Sequence, residues 1–177
     1  PKELHESGTV QQLRVGSSTG VTTKALGNII AFMEDELEER TGRKITIPLD
    51  KKGADILLLH NAGEFMAWPE NIEAFAVIFD AAGINWTLSS EAMGYDAVNY
   101  GVWYDDIQFA KIAVRQACIA RDLGVKKISL GECGHAHKAM VVVADRVLTG
   151  DLNIPRESVI PLLRDLVVHQ RIRLAPR

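Results

Sequence analysis

Cys133, His135 and His137 crowd into one short stretch, Gly131-Glu132-Cys133-Gly134-His135-Ala136-His137-Lys138. A thiol with imidazoles beside it can ligate a metal, or it can attack as a thiolate with a histidine as base. The apolar Ile128-Ser129-Leu130 leads into this stretch and Met140-Val141-Val142-Val143-Ala144 leads out, the pattern of strand, tight turn and helix. The partial positive charge at a helix N-terminus favours the thiolate. Gly131 and Gly134 allow a sharp turn and a close backbone approach to a bound group. Cys-x-His-x-His alone lacks the second ligand cluster that zinc sites pair with, although His60 offers a further ligand from a neighbouring strand end.

Two other segments place polar groups where an open α/β sheet collects ligands, beyond the carboxyl ends of its strands. The run Ala54-Asp55-Ile56-Leu57-Leu58-Leu59 reads as a strand buried on both faces and ends in His60-Asn61-Ala62-Gly63-Glu64-Phe65. Ile84-Asn85-Trp86-Thr87-Leu88 ends in Ser89-Ser90. No Gly-x-Ser-x-Gly elbow surrounds these serines, so capping of the next helix is the plainer role for them. Three strand ends thus converge on His60-Asn61, Ser89-Ser90 and Cys133.

The elements that must hold these ends follow from periodicity and punctuation. Thr22 or Thr23 caps a helix with Leu26, Ile29, Ile30, Met33 and Leu37 on one face and a solvated acidic run on the other, closed by Gly42. Ile45-Thr46-Ile47-Pro48 is an extended piece that the proline confines to an edge. Pro69 opens a helix with the stripe Ile72, Phe75, Ala76, Phe79 and Ala82, closed by Gly83. Asp105 or Asp106 opens another, whose buried face is expected to carry Ile107, Ala110, Val114, Ala117 and Cys118; that makes Cys118 a core residue rather than a reactive thiol. Ser158 to Gln170 forms a final helix with Pro161 near its first turn, and Ile172-Arg173-Leu174 adds a short extended segment.

Gly16-Ser17-Ser18-Thr19-Gly20 fails the phosphate-loop pattern and reads as a connecting loop, while Tyr100-Gly101-Val102-Trp103-Tyr104 is an aromatic loop suited to a partner. The expected fold is α/β, a Rossmann-like three-layer unit with a small, mainly parallel sheet, plus an N-terminal and a C-terminal helix. Residues 1–50 supply a loop, helix and extended segment, and residues 51–177 the α/β domain, together one compact unit.

Composition narrows the classes. At 177 residues, 47% hydrophobic and 24% charged, the chain has ordinary globular proportions. A formal net charge of -3 with scattered Lys and Arg gives no footprint for nucleic acid. No apolar run approaches the roughly 20 residues of a membrane helix. The N-terminus lacks a signal-peptide core and a Met, as in a processed chain or a piece of something longer. Two cysteines make no disulfide framework, and a cytoplasmic location is the expectation.

The order of these pieces from Ala54 to Met140 resembles the cysteine-rich CCG domain of the heterodisulfide reductase family. In that family a cysteine follows the first buried strand, a Cys-Cys pair the second and a Cys-x-x-Cys the third. Here those places hold Asn61-Ala62-Gly63, Ser89-Ser90 and Cys133-Gly134-His135-Ala136, so only Cys133 is kept. The wording Gly131-Glu132-Cys133-Gly134-His135-Ala136 is most like the catalytic iron–sulfur subunits of heterodisulfide-reductase-like membrane complexes, including the one linked to dissimilatory sulfite reduction.

The resemblance implies electron transfer and reduction of a disulfide or trisulfide, its substrate carried on a small protein. Other subunits of a redox complex would be partners, and would bring the chain to a membrane that it does not itself span. It implies Cys133 as metal ligand or reactive thiol, with His135 and His137 tuning it. His60, Asn61, Glu64, Ser89 and Ser90 would line the cofactor site. A [4Fe–4S] cluster belongs to the full-length protein in this reading. Two cysteines cannot supply four thiolates, so none is expected on this chain alone. The alternative is a degenerate, cluster-less CCG-like scaffold that acts as a binding or assembly module.

Overall fold

The computed structural model describes residues 6–7, 21–60, 65, 67–91, 106–131 and 134–174. In chain order the elements are α1 (Thr23–Thr41), β1 (Ile56–Leu59), α2 (Pro69–Ala82), β2 (Trp86–Thr87), α3 (Asp106–Leu123) and β3 (Lys127–Leu130). There follow α4 (Gly134–His137), a π-helical segment (Lys138–Val143), α5 (Ala144–Val147), a 3-10 turn (Gly150–Leu152), β4 (Arg156–Ser158) and α6 (Val159–Val168). The strands form one sheet in the order β2-β1-β3-β4, and every pairing between them is parallel. Leu49 adds a parallel bridge to Leu88 outside β2, so the extended piece after α1 lies at the sheet's edge as its proline requires.

This order, with strands 1 and 3 adjacent at the centre, is that of a flavodoxin-like doubly wound sheet. Right-handed crossovers send the β1–β2 connection over one face and the β2–β3 and β3–β4 connections over the other. The core divides in the same way. Leu57 and Leu59 of β1 with Ile128 and Leu130 of β3 pack against α3, Met140 and Ala144. Ile56 and Leu58 face the opposite way, into α1, α2 and Val159 at the start of α6. Alternate residues of one strand therefore feed two cores, the reason its apolar run is unbroken.

The helix limits follow local chemistry. Thr22 caps α1, its Oγ1 accepting from the Ala25 amide at 3.2 Å. Gly42 and Gly83 close α1 and α2 in the left-handed conformation that costs glycine least. The acidic face of α1 is not wholly solvated as expected. Glu34 accepts the Ile47 amide at 2.6 Å, covering one donor of the edge segment. Glu73 of α2, inside the expected apolar stripe, is 1% exposed and takes a 2.7 Å hydrogen bond from Arg40 of α1. Desolvation pushes its carboxyl above the ordinary range; Arg40 opposes the rise and the nearby Glu36 reinforces it.

Three expectations need correction. The buried face of α3 carries Ile112, Ala113, Gln116, Ala117, Ala120 and Leu123, whereas Ile107 and Val114 are exposed. The small apolar residues of α3 permit several phases, and the sheet selects one. β4 was not foreseen, because Arg156-Glu157-Ser158 shows no apolar alternation. Ile172-Arg173-Leu174 forms no strand, and the chain leaves α6 through turns instead. Gly16–Gly20 and the aromatic loop Tyr100–Tyr104 lie outside the described residues. No helix among the described residues is long and apolar enough to cross a membrane.

Candidate functional site

The strand order reverses between β1 and β3, and a doubly wound sheet opens its ligand crevice at such a point. The two strands stay paired to their carboxyl ends, where the Gly131 amide donates to the Leu59 carbonyl at 2.9 Å. The His60 ring then fills the space where a side chain at position 131 would lie. A Cβ built there would stand 2.9 Å from His60 Nδ1 and 3.2 Å from the Leu59 oxygen, so the position requires glycine. His60 is 2% exposed and packs against Phe65 and Phe75, with ring centroids 6.4 and 5.2 Å away. Phe79 and Trp86 continue this aromatic row towards β2.

Above the switch point lies a cavity of about 660 Å³, lined by Asn71, Phe75, Gly131, Gly134, His137, Ser158, Val159, Ile160 and Leu163. That volume suits a small organic ligand. One wall is formed by Gly131 just beyond β3 and by Gly134 and His137 of α4. The opposite wall comes from α2 and α6, which belong to the other face of the sheet. The apolar part is Phe75, Val159, Ile160 and Leu163. Ser158 caps α6, its Oγ accepting from the Ile160 amide at 3.2 Å, so this polar group is already engaged.

Of the residues singled out in the sequence, His137 lines the cavity and is half-buried. His135 falls in α4, in the first helical turn after the glycine turn. Cys133, Asn61 and Glu64 lie outside the described residues, but Gly131 and Gly134 on either side of Cys133 in the chain both line the cavity. His60 is packed against Gly131 and the cavity-lining Phe75.

Ser89 and Ser90 go elsewhere. Ser89 lines a separate depression of about 230 Å³ with Asp50, Lys52, Glu91, Ile119, Asp122 and Leu123. Its Oγ accepts from the Glu91 amide at 3.1 Å, and the Ser90 amide donates to Asp50 Oδ1 at 2.9 Å. Cys118 is a free, half-buried thiol on α3, next in the chain to the buried Ala117 and Ile119.

Sequence reasoning missed Asn71, Ser158, Ile160 and Leu163 as cavity residues. Ser158 followed by an apolar run is a helix-start signal, but only the unforeseen β4 brings that start to the crevice. The helical run after the turn holds a second surprise, the π-helical Lys138–Val143, in a place where three consecutive β-branched valines disfavour a tight α-helix.

The cluster that the resemblance implies needs a set of thiolate donors. Among the described residues no three His, Cys, Asp or Glu side chains stand together so as to hold a metal ion. The whole chain has two cysteines, and an all-cysteine [4Fe–4S] cluster takes four. The chain's own residues therefore do not fit such a cluster. What the crevice can do is bind a compact ligand between an apolar wall and the side formed by Gly131, Gly134 and His137. Comparison with protein-family models, curated proteins and solved structures finds no match for the chain.

Proposed function

We propose that the chain is the crevice-bearing part of a disulfide-reducing oxidoreductase of the heterodisulfide reductase type, with Cys133 as its reactive thiol. One observation carries the reading: the residues flanking Cys133 line a ligand-sized cavity at the topological switch point, together with His137. The step is thiol–disulfide exchange. The Cys133 thiolate attacks one sulfur of a disulfide, the S–S bond breaks, a mixed disulfide forms and the other half leaves as thiolate. Release requires a second thiol, which a partner subunit or a low-molecular-weight thiol supplies. A cytoplasmic setting, with membrane attachment through partner subunits, belongs to the same reading.

Alkylation of the full chain by iodoacetamide tests it. Cys133 is expected to react at least tenfold faster than Cys118, and reaction should slow when a small disulfide is present. Cys133→Ala should abolish the fast phase and Cys118→Ala should leave it. Equal rates at the two cysteines would remove Cys133 from the chemistry. A second reading, a cluster-less scaffold that binds a partner, is favoured by the apolar wall and by Ile160, which is 64% exposed. It requires partner binding to survive Cys133→Ala and to weaken in Leu163→Asp.

A further inference from the structure

The body of the helical run after β3 packs on one face of the sheet, whereas its first turn serves a cavity whose far wall belongs to the other. Met140, Ala144 and Leu148 are fully buried in the core shared with α3 and β3. An α-helix turns about 100° per residue, so seven residues bring a side chain to within about 20° of its starting line. In an unbroken α-helix His137 would therefore share the line of Ala144 and point into that core. It lines the cavity instead, with Phe75, Val159 and Leu163. Between His137 and Ala144 lies the π-helical segment, all of Lys138–Val143. A π turn takes in one residue more than an α turn, and everything before it is displaced by one residue's rotation, about 100°.

We infer that the π-helical segment is a positioning element: its extra residue turns His137 out of the core line and into the crevice. This rests on the reading of the crevice as the thiol site, but the orientation of His137 can be measured separately. Val142 is the residue to remove, because it is 46% exposed while Met140 and Ala144 are core. Deleting it takes out the extra residue itself without removing a core side chain, so the run becomes α-helical while His137 keeps its angle to Ala144.

In the full chain, nuclear Overhauser contacts are expected from the His137 ring to methyl groups of Val159 and Leu163. They should persist on deletion of Val142, because six α-helical steps sweep the same angle as seven that include the extra residue. Loss of the ring contacts after deletion overturns the inference, since a helix without an extra residue would be rotated by about 100°. Cys133 alkylation should keep its rate in the deletion variant and slow in His137→Gln. An unaltered rate in His137→Gln leaves the inference standing and removes His137 from the thiol chemistry. If the shortened chain does not fold, through-hydrogen-bond couplings in the unaltered protein decide. Pairing of i with i+5 across residues 138–143 is expected, and i to i+4 pairing throughout overturns the inference.

Discussion

Gly131 has no room for even a methyl group, because the His60 ring and the Leu59 carbonyl already occupy the place. Gly131→Ala must push an aromatic ring out of a packed row or part the two central strands, at a cost of about 1–3 kcal/mol in urea unfolding. In His60→Ala the same change should cost markedly less, and a double-mutant cycle reads that coupling directly. The pairing was not legible in the sequence: both residues were singled out, yet nothing in their spacing says that they touch. Glu73 was hidden in another way, as a charge inside an apolar stripe. Desolvation raises its carboxyl, with Arg40 opposing and Glu36 assisting. A carboxyl raised on folding adds stability where it is protonated, and loses that contribution as pH climbs from its ordinary 4.5 through the raised value. Glu73→Gln should therefore raise the denaturation midpoint at pH 7 and flatten its dependence above pH 4.5, as chemical unfolding at several pH values would register. An unchanged pH dependence would mean that Arg40 keeps the carboxylate fully ionised.

Helices with caps were legible, and elements anchored by charge were not. The α1 start was narrowed to Thr22 or Thr23 because a threonine ahead of an apolar period offers an oxygen to an orphan amide. α3 was found but its buried face was misassigned, since alanines on several sides leave the phase to the sheet. β4 is fixed by a residue that no strand pattern includes. The Arg156 side chain is almost fully buried; its Nη1 donates to the Ile154 carbonyl at 2.8 Å and to Asn153 Oδ1 at 3.1 Å. Its Nη2 reaches Asp145 of α5, tying the edge strand to the helical run behind the crevice. Arg156→Ala would remove a nearly buried side chain and its bond to the half-buried Ile154 carbonyl, while the exposed Asn153 and Asp145 turn to water. It should cost about 1–2 kcal/mol in thermal or urea unfolding. Arg156→Lys should recover little of this, because an ammonium cannot span the same fork. Since Ser158 follows on β4 and caps α6, loosening here should also disturb the cavity wall.

The alternation of strands and helices made a parallel α/β sheet legible, but not the order β2-β1-β3-β4 that puts the switch point between Leu59 and Gly131. Nor could periodicity say how far α1 belongs to the core, because an amphipathic helix can cover a sheet or stand apart from it. Its Leu26, Ile30, Met33 and Leu37 are buried in the cluster that includes Ile56 and Leu58 of β1 and Phe75 and Phe79 of α2. Burying one such side chain is worth about 1.5–3 kcal/mol, so these residues together contribute about 6–12 kcal/mol. That equals much of the stability of a typical domain, about 5–15 kcal/mol. α1 also holds the edge segment through Glu34 and reaches α2 through Arg40. A chain shortened to begin at Gly42 should therefore show no cooperative urea transition and should bind a hydrophobic dye, with its aromatic row beside His60 exposed. A cooperative transition with an unchanged near-ultraviolet circular dichroism spectrum would make α1 an appendage. Phe75, which lines the crevice, packs in the same cluster as α1. The shortened chain should consequently lose, along with its fold, the fast alkylation proposed for Cys133, even though α1 contributes no residue to the cavity.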